Sequence, residues 1–188
     1  GYRTRKLGAF YGQLAREKWL ISDLFEADAE RHGLRCDLSH REEERIYGEA
    51  WIEFIRSCKA MLGAESGASV FDFTGDLMPA VEAYERDHPE AGFEEIRDLL
   101  FPGLDGVIRL NQISPRCFEA AALRTLMILY EGEYSGVLEA WRHYVPLKKD
   151  HSNMEEVVAA LRDPVRWQQI VDAAYEEIAL NPRWSNAG

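Results

Sequence analysis

The run Leu126–Tyr130 reads LMILY, five residues with no polar one among them. A strand with one solvated face alternates polar and apolar residues. A strand this uniformly apolar belongs inside a parallel sheet with helices on both sides. Other short strand-like pieces are spaced along the chain, LRCDLS, KAMLG and HYVPL, and the opening GYRTR joins them if a first strand begins there. Helical patterns separate them. Leu14, Ile21, Leu24 and Phe25 mark a helix from about 13 to 31 that stops at Gly33. Ser39 with Glu42 reads as a capping box. Ile46, Tyr47, Ala50, Trp51, Phe54, Ile55 and Cys58 then fall at helical spacing. Ser114-Pro115 predicts another helix start, with the helix running to about Arg124. Ser152 with Glu155 reads as a second capping box, and Asp163-Pro164 ends that helix and starts the last one. Residues 74–106 break the rhythm with GD, DHPEAG and FPGLDG turns. They read as an irregular excursion with helices near 77–87 and 93–100. The expectation is a single α/β domain over residues 1–188, a doubly wound, mainly parallel sheet with helices on both faces.

Bulk properties narrow the function. The 188 residues are 46% apolar and 29% charged, as in a soluble globular protein. No apolar run is long enough to span a bilayer, and no charged-then-apolar leader opens the chain, so the expected location is cytoplasmic. The net charge of −11 argues against a nucleic-acid partner. Cys36, Cys58 and Cys117 fit neither a disulfide framework nor a zinc site and are expected as reduced, mostly buried thiols. The five histidines are scattered, without metal-ligand spacing. Neither a DxD carboxylate pair nor a nucleophile elbow occurs, so the expectation is no metal and no cofactor.

Ligands of doubly wound sheets sit beyond the carboxyl ends of the strands. GAESGAS, residues 63–69, follows a strand there. Gly63 and Gly67 allow either a close approach to a ligand or a plain tight turn. In YGQLAREKW, Gly12 precedes a helix with Arg16 and Lys18 in its first turns. That is a seat for a phosphate or else a solvated face. Glu119 stands among alanines, where an unpaired carboxylate is costly. Spacing leaves two partners open: an ion pair with Arg116 three residues before it, or ligand hydroxyls in the crevice.

The segment SPRCFEAAALRTLMILYEGEYSGVLEAWRHYVPLKKDHSNMEEVVAALRDP resembles the donor-binding half of GT-B glycosyltransferases of the group 1 type. YGQLAREKW is similar to their Gly-Arg-Leu-x-x-Glu-Lys element. YRTR and LGAESGASVFDF resemble a bacterial subset. The resemblance covers the chain apart from residues 74–106 and implies a Rossmann-like half of a two-half enzyme. It implies that Lys18 holds the donor diphosphate and that Glu119 binds the ribose hydroxyls of the nucleotide. Gln13 stands where many members carry arginine, with Arg16, Arg3 and Arg5 available to replace it. Arg116 is a further candidate on the substrate. Tyr134, Ser135 and Gly136 lie where family loops approach the donor. Asn111 replaces the acid that members carry eight positions before the glutamate, and Arg124 replaces the usual glycine.

The resemblance implies transfer of a sugar from a nucleotide-sugar to an unknown acceptor, without a metal. Lys18 and Arg16 would stabilise the leaving diphosphate together with helix-end amides. It also implies a partner N-terminal half that this chain does not include. The isolated chain is therefore expected to bind its donor weakly and to catalyse little. The competing reading is a non-catalytic doubly wound module for ligand sensing or protein contacts, which Gln13 and Asn111 favour.

Overall fold

A computed structural model describes residues 1–184. Among the described residues five short strands form, all paired in parallel: β1 (Tyr2–Arg3), β2 (Leu38–Ser39), β3 (Ala60–Gly63), β4 (Leu126–Tyr130) and β5 (Val145–Leu147). β1 pairs with β2, and β3–β4–β5 form a second small sheet with β4 at its centre. Main-chain bonds at the first residue join the two. The Gly1 amino group donates to the Ala60 carbonyl at 2.6 Å. The Leu62 amide donates to the Gly1 carbonyl at 3.2 Å. The strands therefore lie side by side in the order β2–β1–β3–β4–β5.

The LMILY run occupies the central strand and is buried along its whole length. Its side chains alternate between two cores. Leu126, Ile128 and Tyr130 pack on one face with Ile21, Phe25, Val157 and Ile170. Met127 and Leu129 pack on the other with Ile55, Cys117, Ala120 and Ile178. Helix α1 (Gln13–Arg31) thus covers the first face, and α2 (Gly48–Ser57) and α5 (Pro115–Ala122) cover the second. Covering both faces removes the alternation a half-exposed strand would need, so its residues are all apolar.

The helix boundaries have local causes. α1 runs out at Gly33, whose φ of +62° is the left-handed turn that favours glycine. α5 begins at Pro115, as the Ser-Pro pair predicts, although Ser114 makes no side-chain cap. It ends where Arg124 takes a φ of +52°. The Thr125 amide reaches back to the Ala120 carbonyl at 2.9 Å, closing the helix end. The Arg124 guanidinium pairs with Asp172 and lies 3.8 Å over the Tyr175 ring, contacts a glycine would lack. Asp163 caps α7 (Pro164–Ala174), accepting from the Val165 and Arg166 amides at 2.9 and 3.1 Å.

Both predicted capping boxes are absent. Ser39 lies in β2, and its hydroxyl accepts from the Arg41 amide at 3.1 Å. α2 starts only at Gly48, so Ile46 and Tyr47 fall outside it. α6 (Met154–Arg162) starts after Asn153, whose side chain instead bridges the Lys148 amide and the Pro146 carbonyl at 2.9 Å each.

The excursion is more ordered than its turn signals imply. α3 (Leu77–Asp87) and α4 (Phe93–Leu100) pack on each other and on Phe10 around Val70, Val81, Ile96 and Phe101. Its return leg is fastened to the sheet by Ser66 and Gln112, which exchange amide–carbonyl bonds of 2.7 and 2.9 Å. Gly67, at φ +118°, presses against the Leu110 carbonyl. The close approach that glycine permits here is to the chain's own backbone. The three cysteines are free thiols, with Cys117 buried and Cys36 and Cys58 half-buried. No described helix is long and apolar enough to cross a membrane.

Candidate functional site

The strand order reverses at β1, which has β2 on one side and β3 on the other. A crevice beyond the carboxyl ends of strands is a common ligand seat at such a reversal. Here a cavity of about 450 Å³ opens at that place. β1 and its exit contribute Tyr2, Arg3 and Arg5. The second turn of α1 contributes Lys18, α2 contributes Trp51, and the first turns of α5 contribute Arg116 and Glu119. Lys18 and Glu119, on helices that cover opposite faces of the sheet, line the same space.

The cavity's charge is opposite to that of the protein. Arg3, Arg5, Lys18, Arg45 and Arg116 line it against a single carboxylate, Glu119. The whole chain carries −11. Two of the cations are engaged elsewhere. Arg3 pairs with Asp37 at 2.6 Å, and Arg45 with Glu42 at 2.9 Å. Arg5 and Arg116 have no ion-pair partner among the described residues, and Lys18 donates only to the Ser66 hydroxyl, at 2.8 Å. Burial pulls the Lys18 ammonium below its ordinary pKa, and the charges of Arg116 and Arg5 push it the same way. Unneutralised cations this close together attract an anion.

Arg116 and Glu119 do not form the three-apart ion pair that spacing allowed. Glu119 Oε2 instead accepts from the Trp51 indole Nε1–H at 2.8 Å. The Arg116 guanidinium lies 5.4 Å from the Trp51 ring centre and 5.6 Å from that of Tyr2. Both distances are within cation–π range. Burial raises the Tyr2 phenol, and the Arg116 charge opposes that rise.

Other residues singled out in the sequence lie elsewhere. Arg16 turns to the excursion, where it pairs with Glu94 at 2.6 Å and stacks 4.8 Å over Phe93. Its Nε is buried without a partner. Gln13 faces a second cavity of about 790 Å³, beyond the ends of β3 and β4. The phosphate seat at the start of α1 is filled from within. The Gln13 amide donates to both Asp105 oxygens, at 3.3 and 3.1 Å, and the Leu14 amide to the Ser69 hydroxyl at 3.1 Å. Tyr134 is fully buried, its hydroxyl on the Tyr130 carbonyl at 2.6 Å. The Ser135 hydroxyl accepts from the Ile113 amide at 3.2 Å. Neither residue, nor Gly136, lines the cationic cavity.

The second cavity mixes signs, with Glu17, Glu65, Asp105 and Glu133 against Arg97, Arg109 and Lys149. Most of these groups are satisfied internally. Lys149 meets the buried Glu17 at 2.8 Å. Glu65 accepts from the Asn111 side chain at 2.6 Å and from the Tyr134 amide at 2.8 Å.

Sequence reasoning missed Tyr2 and Trp51 as site residues. Trp51 sits at core-like helical spacing, and nothing in that spacing shows where an indole N–H points. Among the described residues, no three His, Cys, Asp or Glu side chains are placed to hold a metal ion. No protein-family model matches the chain, and neither a curated protein nor a solved structure is detectably similar to it.

Proposed function

We propose that the cationic cavity is the donor site of a nucleotide-sugar-dependent glycosyltransferase, and that the chain is the Rossmann-like, doubly wound donor-binding half of a GT-B enzyme. The observation that carries this reading is the shared cavity: Lys18, Arg5 and Arg116 converge there with one acceptor, Glu119. A nucleoside diphosphate has matching chemistry, an anionic diphosphate beside a ribose whose two hydroxyls need an acceptor. Lys18, Arg5 and Arg116 hold the diphosphate, and Glu119 takes the ribose hydroxyls. As the bond to the sugar breaks, charge grows on the diphosphate. Cations fixed in a partly buried site stabilise that growth without having to reorganise. The first turn of α5, with Ser114 to Arg116 on the cavity wall, adds the positive end of its dipole to the field. The amides at the start of α1 do not contribute, because Asp105 and Ser69 hold them. Arg16, paired with Glu94, is likewise set aside from the leaving-group role.

Calorimetric titration with UDP and with GDP tests the reading. One of them binds the wild-type chain, and Lys18→Ala and Glu119→Ala each weaken it about tenfold or more, the scale of one lost charge-assisted hydrogen bond. Absence of binding by either nucleotide, or affinities unmoved by both substitutions, refutes it. A second reading, a non-catalytic ligand-sensing module, is favoured by the internal occupation of α1's first amides and by the Asn111–Glu65 bond. Turnover separates the two. A glycosyltransferase half hydrolyses or transfers its nucleotide-sugar slowly, at a rate that falls with Lys18→Ala, whereas a sensing module leaves the bound donor intact.

A further inference from the structure

We infer that Trp51 is a positioning residue that keeps Arg116 and Glu119 from neutralising each other, so that both stay available to one ligand. This rests on the donor-site reading. Arg116 and Glu119 are three apart on α5, a spacing at which opposite charges on a helix ordinarily meet. In this cavity they do not. The indole occupies both of them at once, through different parts of one side chain. Its edge donates Nε1–H to Glu119 Oε2 at 2.8 Å. Its face lies 5.4 Å from the Arg116 guanidinium. The same guanidinium lies 5.6 Å from the Tyr2 ring centre. The indole is itself braced, stacking on Phe54 with centres 5.7 Å apart and planes 24° from parallel.

The chemistry of each contact explains why the pair stays open. A neutral N–H holds the carboxylate in direction without cancelling its charge, and leaves Oε1 free to accept hydroxyls. A ring face holds the guanidinium without using its N–H donors, so the contact with Trp51 leaves them for phosphate oxygens. An ion pair between Arg116 and Glu119 would use the same atoms. It would have to be broken before a diphosphate and a ribose could take their places.

Trp51→Phe is the discriminating change, since it keeps a ring beside Arg116 and removes the N–H. Glu119 is then free to swing to Arg116. The variant should melt close to the wild type and bind the preferred nucleotide, UDP or GDP, about tenfold more weakly, the scale of one charge-assisted bond. In a Glu119→Gln background no ion pair can form, so adding Trp51→Phe should change affinity by only about twofold or less. Equal losses in both backgrounds, or no loss in the first, overturn the inference while leaving the donor site standing. Failure of the wild type to bind either nucleotide refutes the donor-site reading instead. The geometry is then judged by the ligand-free crystal structure of Trp51→Phe. An Arg116–Glu119 contact inside about 4 Å is expected there, and side chains that remain apart overturn the inference by themselves.

Discussion

The two cavities lie along the same rim of the sheet and treat charge in opposite ways. In the larger one, beyond β3 and β4, most charged groups are answered by the chain itself. Glu17 has Lys149, Glu65 has Asn111 and the Tyr134 amide, and Asp105 has the start of α1. In the smaller one, between β1 and β3, Arg5 and Arg116 lack an ion-pair partner among the described residues, Lys18 has only a hydroxyl, and Glu119 has only an indole N–H. A buried polar or charged group costs least when several partners hold it. The second cavity gives Glu65 and Asp105 more than one donor each and Glu17 a counter-ion, whereas the first leaves half-buried Lys18 and Glu119 with one neutral partner each. That difference is the basis for proposing the first as the ligand site and the second as structural. Volume alone would point to the other one.

Two lysines break or confirm that contrast with the largest expected effects. Lys18→Ala should cost about tenfold or more in nucleotide affinity, with little loss of stability, since its only bond among the described residues is to a half-buried hydroxyl. Lys149→Ala should do the reverse. It leaves Glu17, only 5% exposed, without its counter-ion. The expected cost is about 1–3 kcal/mol, held down because Lys149 is itself largely exposed. Nucleotide affinity should stay within about twofold. Urea melts and titrations on both variants separate the two effects. If Lys149→Ala abolishes binding, the second cavity belongs to the ligand site and the contrast fails.

Much of the fold is legible in the residues alone, because its signals are local. LMILY implies a strand covered on both faces, and the helices at 13–31, 77–87 and 93–100 follow from spacing and from turn residues at their ends. The capping boxes fail because the helices begin later than the pattern places them. Ser39 uses its oxygen at the exit of a strand, and Asn153 holds the place that the pattern assigns to Ser152. The site is less legible. Glu119 stands out as an acid among alanines, but its partner is 68 positions away. Spacing cannot choose between Arg116 and something distant. The convergence of Lys18 and Glu119 is implied by a family resemblance, and no pattern in the residues requires it. Asp105 is invisible as the cap of α1, since 92 positions separate it from Gln13.

The electrostatics of the cationic cavity supply a pH-dependent test of smaller size. Burial, with Arg116 and Arg5 nearby, puts the Lys18 pKa below its ordinary 10.5 in the free protein. A bound diphosphate favours the ammonium and raises that pKa, so binding takes up a proton in the interval between the two values. Affinity should therefore decline as pH rises through the free-state pKa, beginning below 10.5. The limiting slope is about tenfold per pH unit. The folding linkage has the opposite sign. A lysine whose folded pKa is depressed opposes folding while charged, so its contribution improves as pH rises through the folded value towards 10.5. Lys18→Arg should bind with a flat profile over the same range, because guanidinium keeps its proton. Parallel slopes for lysine and arginine would place the titrating group elsewhere.

The smallest effect sharpens the comparison from the structural side. α1 has a glycine at its N-cap, so the side chain that would ordinarily satisfy its first amides is missing. Asp105 supplies that function from the excursion's return leg, accepting from Gln13, while Ser69 accepts from Leu14 and donates to Asp105 at 2.6 Å. The carboxylate also sits at the positive end of the α1 dipole. Asp105→Ala should therefore cost about 1 kcal/mol, the ordinary loss of a helix cap, seen as a lower urea midpoint with an unchanged slope. Asp105→Asn should recover part of it, because an amide oxygen still accepts from Gln13 but carries no charge. Nucleotide affinity should not move in either variant. A gain of about tenfold on removing the carboxylate would mean that Asp105 had been holding a place the diphosphate prefers. The division between a cavity built for structure and a cavity built for a ligand would then have to be redrawn around α1.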